Sequence, residues 1–457
     1  MSQSTIAPAQ AEDRASFSFS RTQLDELAAR VLDKAKAAGA SACDVDVSES
    51  AGQSVSVRLG EVETIEYNRD KGMGVTVYLG QRKGHASTSD FSDAALAQTV
   101  AAALAIARYT AEDSCAGLAD PHRLARDFAD LDLYHPWALP VEAAINLARQ
   151  CEVAARAVDG RIGNSEGATV SSHAGQSIYA NSHGFSGYNL SSRHSVSCAV
   201  IAQEAAVMQR DYWYSSARAA TDLEEAAAVG RRAGERALAR LGARRIKTGD
   251  YPVLYDAALA GGLLGHFVNA VSGGSLYRQS SFLLDSLGTQ VFSPLVDIVE
   301  DPFLPRGMAS SNFDAEGVAT VRRQLVAAGV LHGYFLGSYS ARKLGMESTG
   351  NAGGSHNLLV APTAGNLADM LKRLGTGLYV TELMGQGVNG VTGDYSRGAA
   401  GFWVENGVIV HPVEEVTIAG NLRDIYRGIV AIGSDIETRS SKRVGSILVE
   451  RMTVAGE

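Results

Sequence analysis

His266 is a histidine on the apolar face of a helix, a residue type that can ligate a metal. It sits in the stretch from Tyr255 to Gly288, where Leu259, Leu263, His266, Phe267 and Ala270 recur at spacings of three and four. That is one apolar face of a 3.6-residue period, so the stretch opens as a helix. Asp256 can cap it. Ser272-Gly273-Gly274 should end it, a glycine taking the left-handed conformation, before a polar loop with Tyr277, Arg278, Gln279, Ser280 and Ser281. Zinc asks for about four His, Cys or carboxylate donors, often two from one helix. His266 has no histidine partner in its helix, no H-E-x-x-H occurs, and Cys43, Cys115, Cys151 and Cys198 all precede it. The interior pair Gly261-Gly262 should cost about 1 kcal/mol per glycine relative to alanine. Two readings stay open: a core histidine packed over the glycines, or a metal-site helix.

Other patterns look like chemistry and lack its context. Gly163-Asn164-Ser165-Glu166-Gly167 fits G-x-S-x-G, but a nucleophile elbow needs a strand before it and a helix after, the reverse of the order expected here. Gly385-Gln386-Gly387-Val388-Asn389-Gly390 fits G-x-G-x-x-G after a strand, yet Val391-Thr392-Gly393-Asp394-Tyr395 is a poor start for the helix a dinucleotide needs. Asp394, Arg397 and Glu405 suit a structural ion pair or a peptide-terminus clamp. Thr349 to Gly354 reads as a flexible loop. His332 and His356 read as structural or surface residues, and Glu300-Asp301 and Glu414-Glu415 as solvated faces.

Three segments carry a resemblance: GHFVNAVSGGSLYRQSSFLLDSLG, ASSNFDAEGVATVRRQLVAAGVLHGYFLGSYSARKLGMESTGNAGGSHN and GTGLYVTELMGQGVNGVTGDYSRGAAGFWVENG. They resemble the TldD/PmbA family, and most closely its PmbA (TldE) branch. In that family the TldD branch is the metalloprotease subunit, with an H-E-x-x-x-H helix and a cysteine ligand near the C-terminus. At the matching hexamer this chain has Gly261 for the first histidine, Gly262 for the glutamate, and keeps only His266. The run Ser440 to Met452 offers no cysteine. One ligand without a base should not make a hydrolytic zinc site.

The resemblance thus implies a chain with no catalytic residue and no metal or cofactor of its own. It would pair as a heterodimer with a TldD-type subunit that holds zinc, to degrade or process unfolded and leader peptides, and a homodimer is possible when it is alone. The peptide-binding candidates are Ser272, Gly273, Gly274, Tyr277, Arg278, Gly385, Gly387 and Arg397, in two loops that suit strand-like pairing with an extended backbone. The alternatives are a stand-alone metallopeptidase with an atypical site built from His266 with His332 or His356 and an acid, and a homodimeric peptide-binding protein without proteolytic activity.

The elements that must position these residues belong to an α+β chain. At 457 residues it should hold about two to four domains. Composition is 46% apolar and 20% charged, ordinary for a packed globular protein. A net charge of −9 without a basic cluster argues against a nucleic-acid partner, so the family's label as a gyrase modulator draws no support here. Scattered cysteines, no signal-like start and no long apolar run point to the cytoplasm and away from membranes.

A flexible tail is expected over 1–19. An N-terminal α+β domain over 20–120 has helices at Arg21–Ala38 and Ser92–Tyr109. Between them lie strands Cys43–Val47 and Val55–Leu59, split by a turn at Gly52-Gln53, and a hairpin at Gly80–Gly84. A central α+β domain over 135–245 follows, with helices at Val141–Val158 and Asp222–Leu241 and an aromatic cluster Tyr212-Trp213-Tyr214 in the core or at an interface. The C-terminal domain, 248–457, should be strand-dominated, a barrel-like or curved antiparallel sheet, with strands at Gln290–Phe292 and Val296–Glu300 and turns at Ala328-Gly329 and Asn406-Gly407.

Overall fold

Ser20 starts the first helix with a capping box: its hydroxyl accepts from the Gln23 amide, and the Gln23 side chain accepts from the Ser20 amide. The computed structural model describes residues 17–457, so the expected tail lies outside the described residues up to position 16. Helix α1 (Arg21–Ala37) buries Leu24, Leu27, Ala28, Val31 and Ala35, the stripe its spacing predicts. There follow β1 (Ala42–Arg58), β2 (Glu61–Leu79), β3 (Arg82–Thr88), α2 (Asp93–Tyr109), α3 (Val141–Arg156), β4 (Asn164–Asn181), β5 (Ser186–Glu204), β6 (Val207–Ala217) and α4 (Ala226–Ala239).

The expected turn at Gly52-Gln53 is absent. β1 runs straight through, with Gly52 opposite Asn68 on one side and His173 on the other. A Cβ on Gly52 would lie 1.9 Å from the His173 ring, so the glycine makes room for a cross-strand neighbour. All six strands form one antiparallel sheet in the order β3-β2-β1-β4-β5-β6. The pairing of β1 with β4, from Asp44–Asn181 to Val57–Ala168, joins residues of the first and second expected units in that sheet. α1 and α2 cover Val45, Val47 and Val75 at one end, and α3 and α4 cover Val55, Val57 and Val170 at the other.

The rest of the chain builds two further sheets from β7 (Gly249–Tyr255), α5 (Ala257–Ala270), α6 (Gly273–Tyr277), β8 (Ile298–Asp301), β9 (Arg323–Ala327), β10 (Val330–Leu331), α7 (Ser338–Lys343), β11 (Asn357–Val360), α8 (Leu367–Leu374), β12 (Gly377–Met384), β13 (Asp394–Glu405), β14 (Val408–Asn421), α9 (Leu422–Arg427), β15 (Ile429–Ile432), β16 (Lys442–Arg443) and β17 (Ile447–Ala455). One sheet is β10-β9-β8-β11-β16. The other, β14-β13-β12-β7-β17-β15, closes on itself where β14 also pairs β17, giving the barrel-like sheet expected of an α+β chain. Both predicted hairpins form, with left-handed backbone at Ala328-Gly329 and Asn406-Gly407. Gln290 makes only an isolated bridge to Val330, so no strand forms at 290–292.

Two further expectations fail for one reason, long-range pairing. Glu300 is 1% exposed, not solvated, because Arg323 and His356 meet it there. The loop at 349–354 is held by Asn351, whose amide donates to Glu300 Oε1 at 2.7 Å. Trp213 is buried beneath the Arg232 and Arg439 guanidinia, 3.9 and 4.0 Å from its ring centre, so the aromatic cluster seals β6 against the 434–440 segment.

Candidate functional site

β7 ends at Tyr255, and Asp256 turns the chain into α5, its carboxylate accepting from the Ala258 amide at 2.9 Å and from the Tyr379 hydroxyl. Ala260, Leu263, Leu264, Phe267 and Ala270 go into the core. His266 is half-buried on the flank, its ring edge-on to Tyr395 with centroids 6.0 Å apart. Burial lowers its pKa below the usual histidine value, and the charge of Arg397 pushes the same way, so the imidazole is neutral at neutral pH.

Gly261 and Gly262 are not tight packing points. A Cβ on Gly261 would be 3.6 Å from Lys442 Cβ, an ordinary contact, and one on Gly262 meets nothing within 4 Å. The packed-glycine reading is therefore corrected: this helix face is open. Gly262→Ala should stabilise the protein by about 0.5–1 kcal/mol through helix propensity. A shift of the urea midpoint to higher concentration checks this, and a lower midpoint would contradict the open face.

The residues around His266 do not fit a zinc ion. Two of the three helix positions are glycine, and the Lys442 side chain runs along them, its Cε 4.0 Å from a Cβ placed on Gly265. Among the described residues no three His, Cys, Asp or Glu side chains group to hold a metal. His332 is exposed, and His356 is tied to Glu300 at 3.0 Å.

What His266 does border is a cavity of about 290 Å³. Both predicted loops reach it. The first stretch, 272–281, contributes Ser275 and Ser280, with Phe282 just beyond it, and the second Gln386, Val388 and Gly390; the amide of Phe282 donates to the Gly390 carbonyl at 2.9 Å, stitching the two together. Arg397 enters from β13, two residues from Tyr395 and so on the same face of the strand.

The individual candidates divide. Arg397 lines the cavity. Gly385 and Gly387 flank Gln386, and Gly387 packs on Ser396, whose carbonyl would lie 1.9 Å from an added Cβ. That loop closes a hairpin between β12 and β13 with no helix after it, so it makes no dinucleotide site. Ser272, Gly273, Gly274, Tyr277 and Arg278 do not line the cavity. Ser272 and the glycines start α6 instead of a loop, and α5 ends without a left-handed glycine. Gly273 is buried where α6 meets α7, 2.2 Å from Ser340 Oγ if given a Cβ. Arg278 donates to the Tyr277 hydroxyl, and Tyr277 packs edge-on against Tyr339.

Asp394 bonds Thr392 and Asn421, and Glu405 accepts from Trp403, so the expected ion pair with Arg397 does not form. Ser165 is buried in β4, its hydroxyl accepting from the Gly167 amide, which is a structural role. Sequence reasoning missed Asn269 and Leu422, and it singled out the loop of Gln386 without naming that side chain as a candidate. Asn269 shares the His266 flank and was legible from helical spacing, whereas nothing local marks Leu422.

Known proteins match the sequence and fold of nearly the whole chain. Models of the PmbA/TldA metallopeptidase family match three times: domain 1 at 43–107, the central domain at 134–241 and the C-terminal domain at 248–456. The metalloprotease PmbA of Escherichia coli O157:H7 is 52% identical over 414 residues, 91% of this chain and 92% of that protein. A metalloprotease TldD homolog of Haemophilus influenzae is 25% identical over 399 residues, 83% and 82% of the two chains. The crystal structure of a Bacteroides thetaiotaomicron protein described as a candidate modulator of DNA gyrase superposes with a TM-score of 0.90 at 29% identity, covering 95% of this chain and 99% of that one. TldE from Thermococcus kodakarensis shares the fold, with a TM-score of 0.83 at 19% identity, covering 94% of this chain and all of its own.

Proposed function

The chain belongs to the PmbA/TldD metallopeptidase family, and from that premise we propose that it is the non-catalytic subunit of a two-chain metallopeptidase. A TldD-type partner would supply the zinc, and this chain would hold the peptide. The observation that carries this reading is α5: His266 alone remains of a ligand set, and the helix positions beside it are glycines facing open space and a lysine stem. Metal hydrolysis needs the ion to lower the pKa of a bound water, and a group to take its proton. Gly262 offers no such group, and His266 has no second ligand beside it. Identity points the same way, 52% to a PmbA protein against 25% to a TldD homolog.

The cavity beside His266 suits the other half of the task. It lies at the small end of the roughly 300–1,000 Å³ range of ligand pockets. It would admit an extended chain end and reject a folded domain, which favours unfolded or leader peptides as substrates. Four free cysteines, three of them buried, suit a reducing compartment, and we place the complex in the cytoplasm. No helix among the described residues is long and apolar enough to cross a membrane.

The test is peptidase activity on an unstructured peptide, with this chain alone, a TldD-type partner alone, and the two mixed. Cleavage by the mixture, and none by this chain, is the expected result. Chelator-sensitive cleavage by this chain alone would overturn it.

A further inference from the structure

Arg397, at the wall of the His266 cavity, forms no ion pair among the described residues. Its Nε is buried without a hydrogen-bond partner. The two acids nearest in sequence on its strand are engaged elsewhere, Asp394 by Thr392 and Asn421 and Glu405 by Trp403. Among the described residues no Asp or Glu lines the cavity, and the other titratable side chain there, His266, has its pKa lowered by burial and by the charge of Arg397. Arg397 also stands beside the buried Tyr395, two residues away on the same face of β13, where its charge opposes the rise that burial gives the tyrosine pKa. Asn269, Ser275 and Gln386, which line the same cavity, are neutral groups able to donate.

A buried guanidinium donor left unpaired is costly, and the planar fork of arginine matches a carboxylate in two-point geometry. We propose that this cavity is a carboxylate-binding subsite, with Arg397 as its fork and the amides and hydroxyl that line it as secondary donors. Calling the ligand a peptide rests on the function proposed above, whereas the carboxylate rests on the cavity alone. The carboxylate would come from a peptide C-terminus or from an acidic side chain, and the cavity volume limits it to the end of an extended segment.

The experiment is calorimetric or NMR titration of the full chain, without any partner, with three probes: N-acetyl-Ala-Ala with a free carboxylate, the same dipeptide as its C-terminal amide, and N-acetyl-Glu-Ala amide. At least one carboxylate probe should bind about tenfold or more tightly than the neutral amide, a difference of ~1.4 kcal/mol. The tighter of the two identifies the source. Arg397→Gln should bring all three to the same weak affinity, and Arg397→Lys should restore only part of the difference, because an ammonium lacks the fork. Equal binding of acid and amide by the native chain, or no binding of either acid, would overturn the proposal without recourse to a variant. Native affinities in Arg397→Gln would overturn the role given to that residue. Failure to reconstitute peptidase activity with a partner would leave this result intact and count against the subunit reading alone.

Discussion

Glu300→Ala is expected to destabilise the protein by about 3–5 kcal/mol, the usual cost of removing one member of a buried ion pair. Glu300 Oε1 accepts from the His356 amide at 2.9 Å, from its Nδ1 at 3.0 Å and from the Asn351 amide group at 2.7 Å, while Oε2 takes Arg323 Nε at 2.7 Å. Removing the carboxylate strands all of these donors in the core of the C-terminal unit. Burial alone would raise the Glu300 pKa, but the hydrogen bond from His356 and the Arg323 charge outweigh it and hold it at about 2.

The sign of the pH effect follows. A carboxylate depressed in the folded state contributes stability that is complete above its unfolded pKa, and that stability is lost as pH falls through the folded value. The native protein should therefore lose stability from about pH 4.5 toward pH 2, and Glu300→Ala should lack that portion of the acid limb. Urea denaturation of both proteins at several pH values checks this. Parallel acid limbs would show that the network contributes little.

Gly390→Phe should lower the kcat/KM of a reconstituted peptidase by at least about tenfold, equivalent to ~1.4 kcal/mol of lost transition-state binding. Gly390 lines the His266 cavity, its backbone is not left-handed, and a Cβ there would meet nothing within 4 Å. A phenyl ring can therefore be added at the rim of the cavity without a clash at its Cβ and with the carbonyl that accepts from Phe282 kept in place. Fold stability should stay within about 1 kcal/mol of the native chain. The assay compares Gly390→Phe with Gly262→Ala, a change on the same helix–loop assembly but outside the cavity lining. Full activity from Gly390→Phe would mean that peptide is held elsewhere.

The elements that local patterns specify were legible. The α1 stripe, the Asp256 cap, both left-handed hairpins and the barrel-like C-terminal sheet follow from spacing, cap chemistry and turn residues. What failed depended on partners far away in sequence. Gly52 resembles a turn residue because nothing local reveals that His173 will lie across it. Glu300-Asp301 resembles a solvated acid pair because Arg323 and His356 arrive from other strands. The sharing of one sheet by the first two units depends on β1 meeting β4 more than a hundred residues away, which no periodicity encodes.

At the site, the 385–390 turn was recognisable from its glycines, whereas the stretch read as a loop after α5 opens as the short helix α6. Which members face the cavity was not legible, since Gly273 proved to be a helix–helix contact and Gln386, between two glycines, a wall residue. Arg397 was identifiable as a charge among small residues. That its acidic neighbours would pair with Thr392, Asn421 and Trp403 required the register of β13 with β14 and its turns.

The central claim is that this chain carries no catalytic metal, and zinc stoichiometry tests it most directly. Zinc per chain would be measured by plasma mass spectrometry after exhaustive dialysis, for this chain alone, for a TldD-type partner, and for their complex. Zinc that tracks the partner, and stays far below one equivalent in this chain, is the predicted result. One tightly held equivalent in this chain alone, lost on His266→Ala, would contradict it and place a metal site at α5.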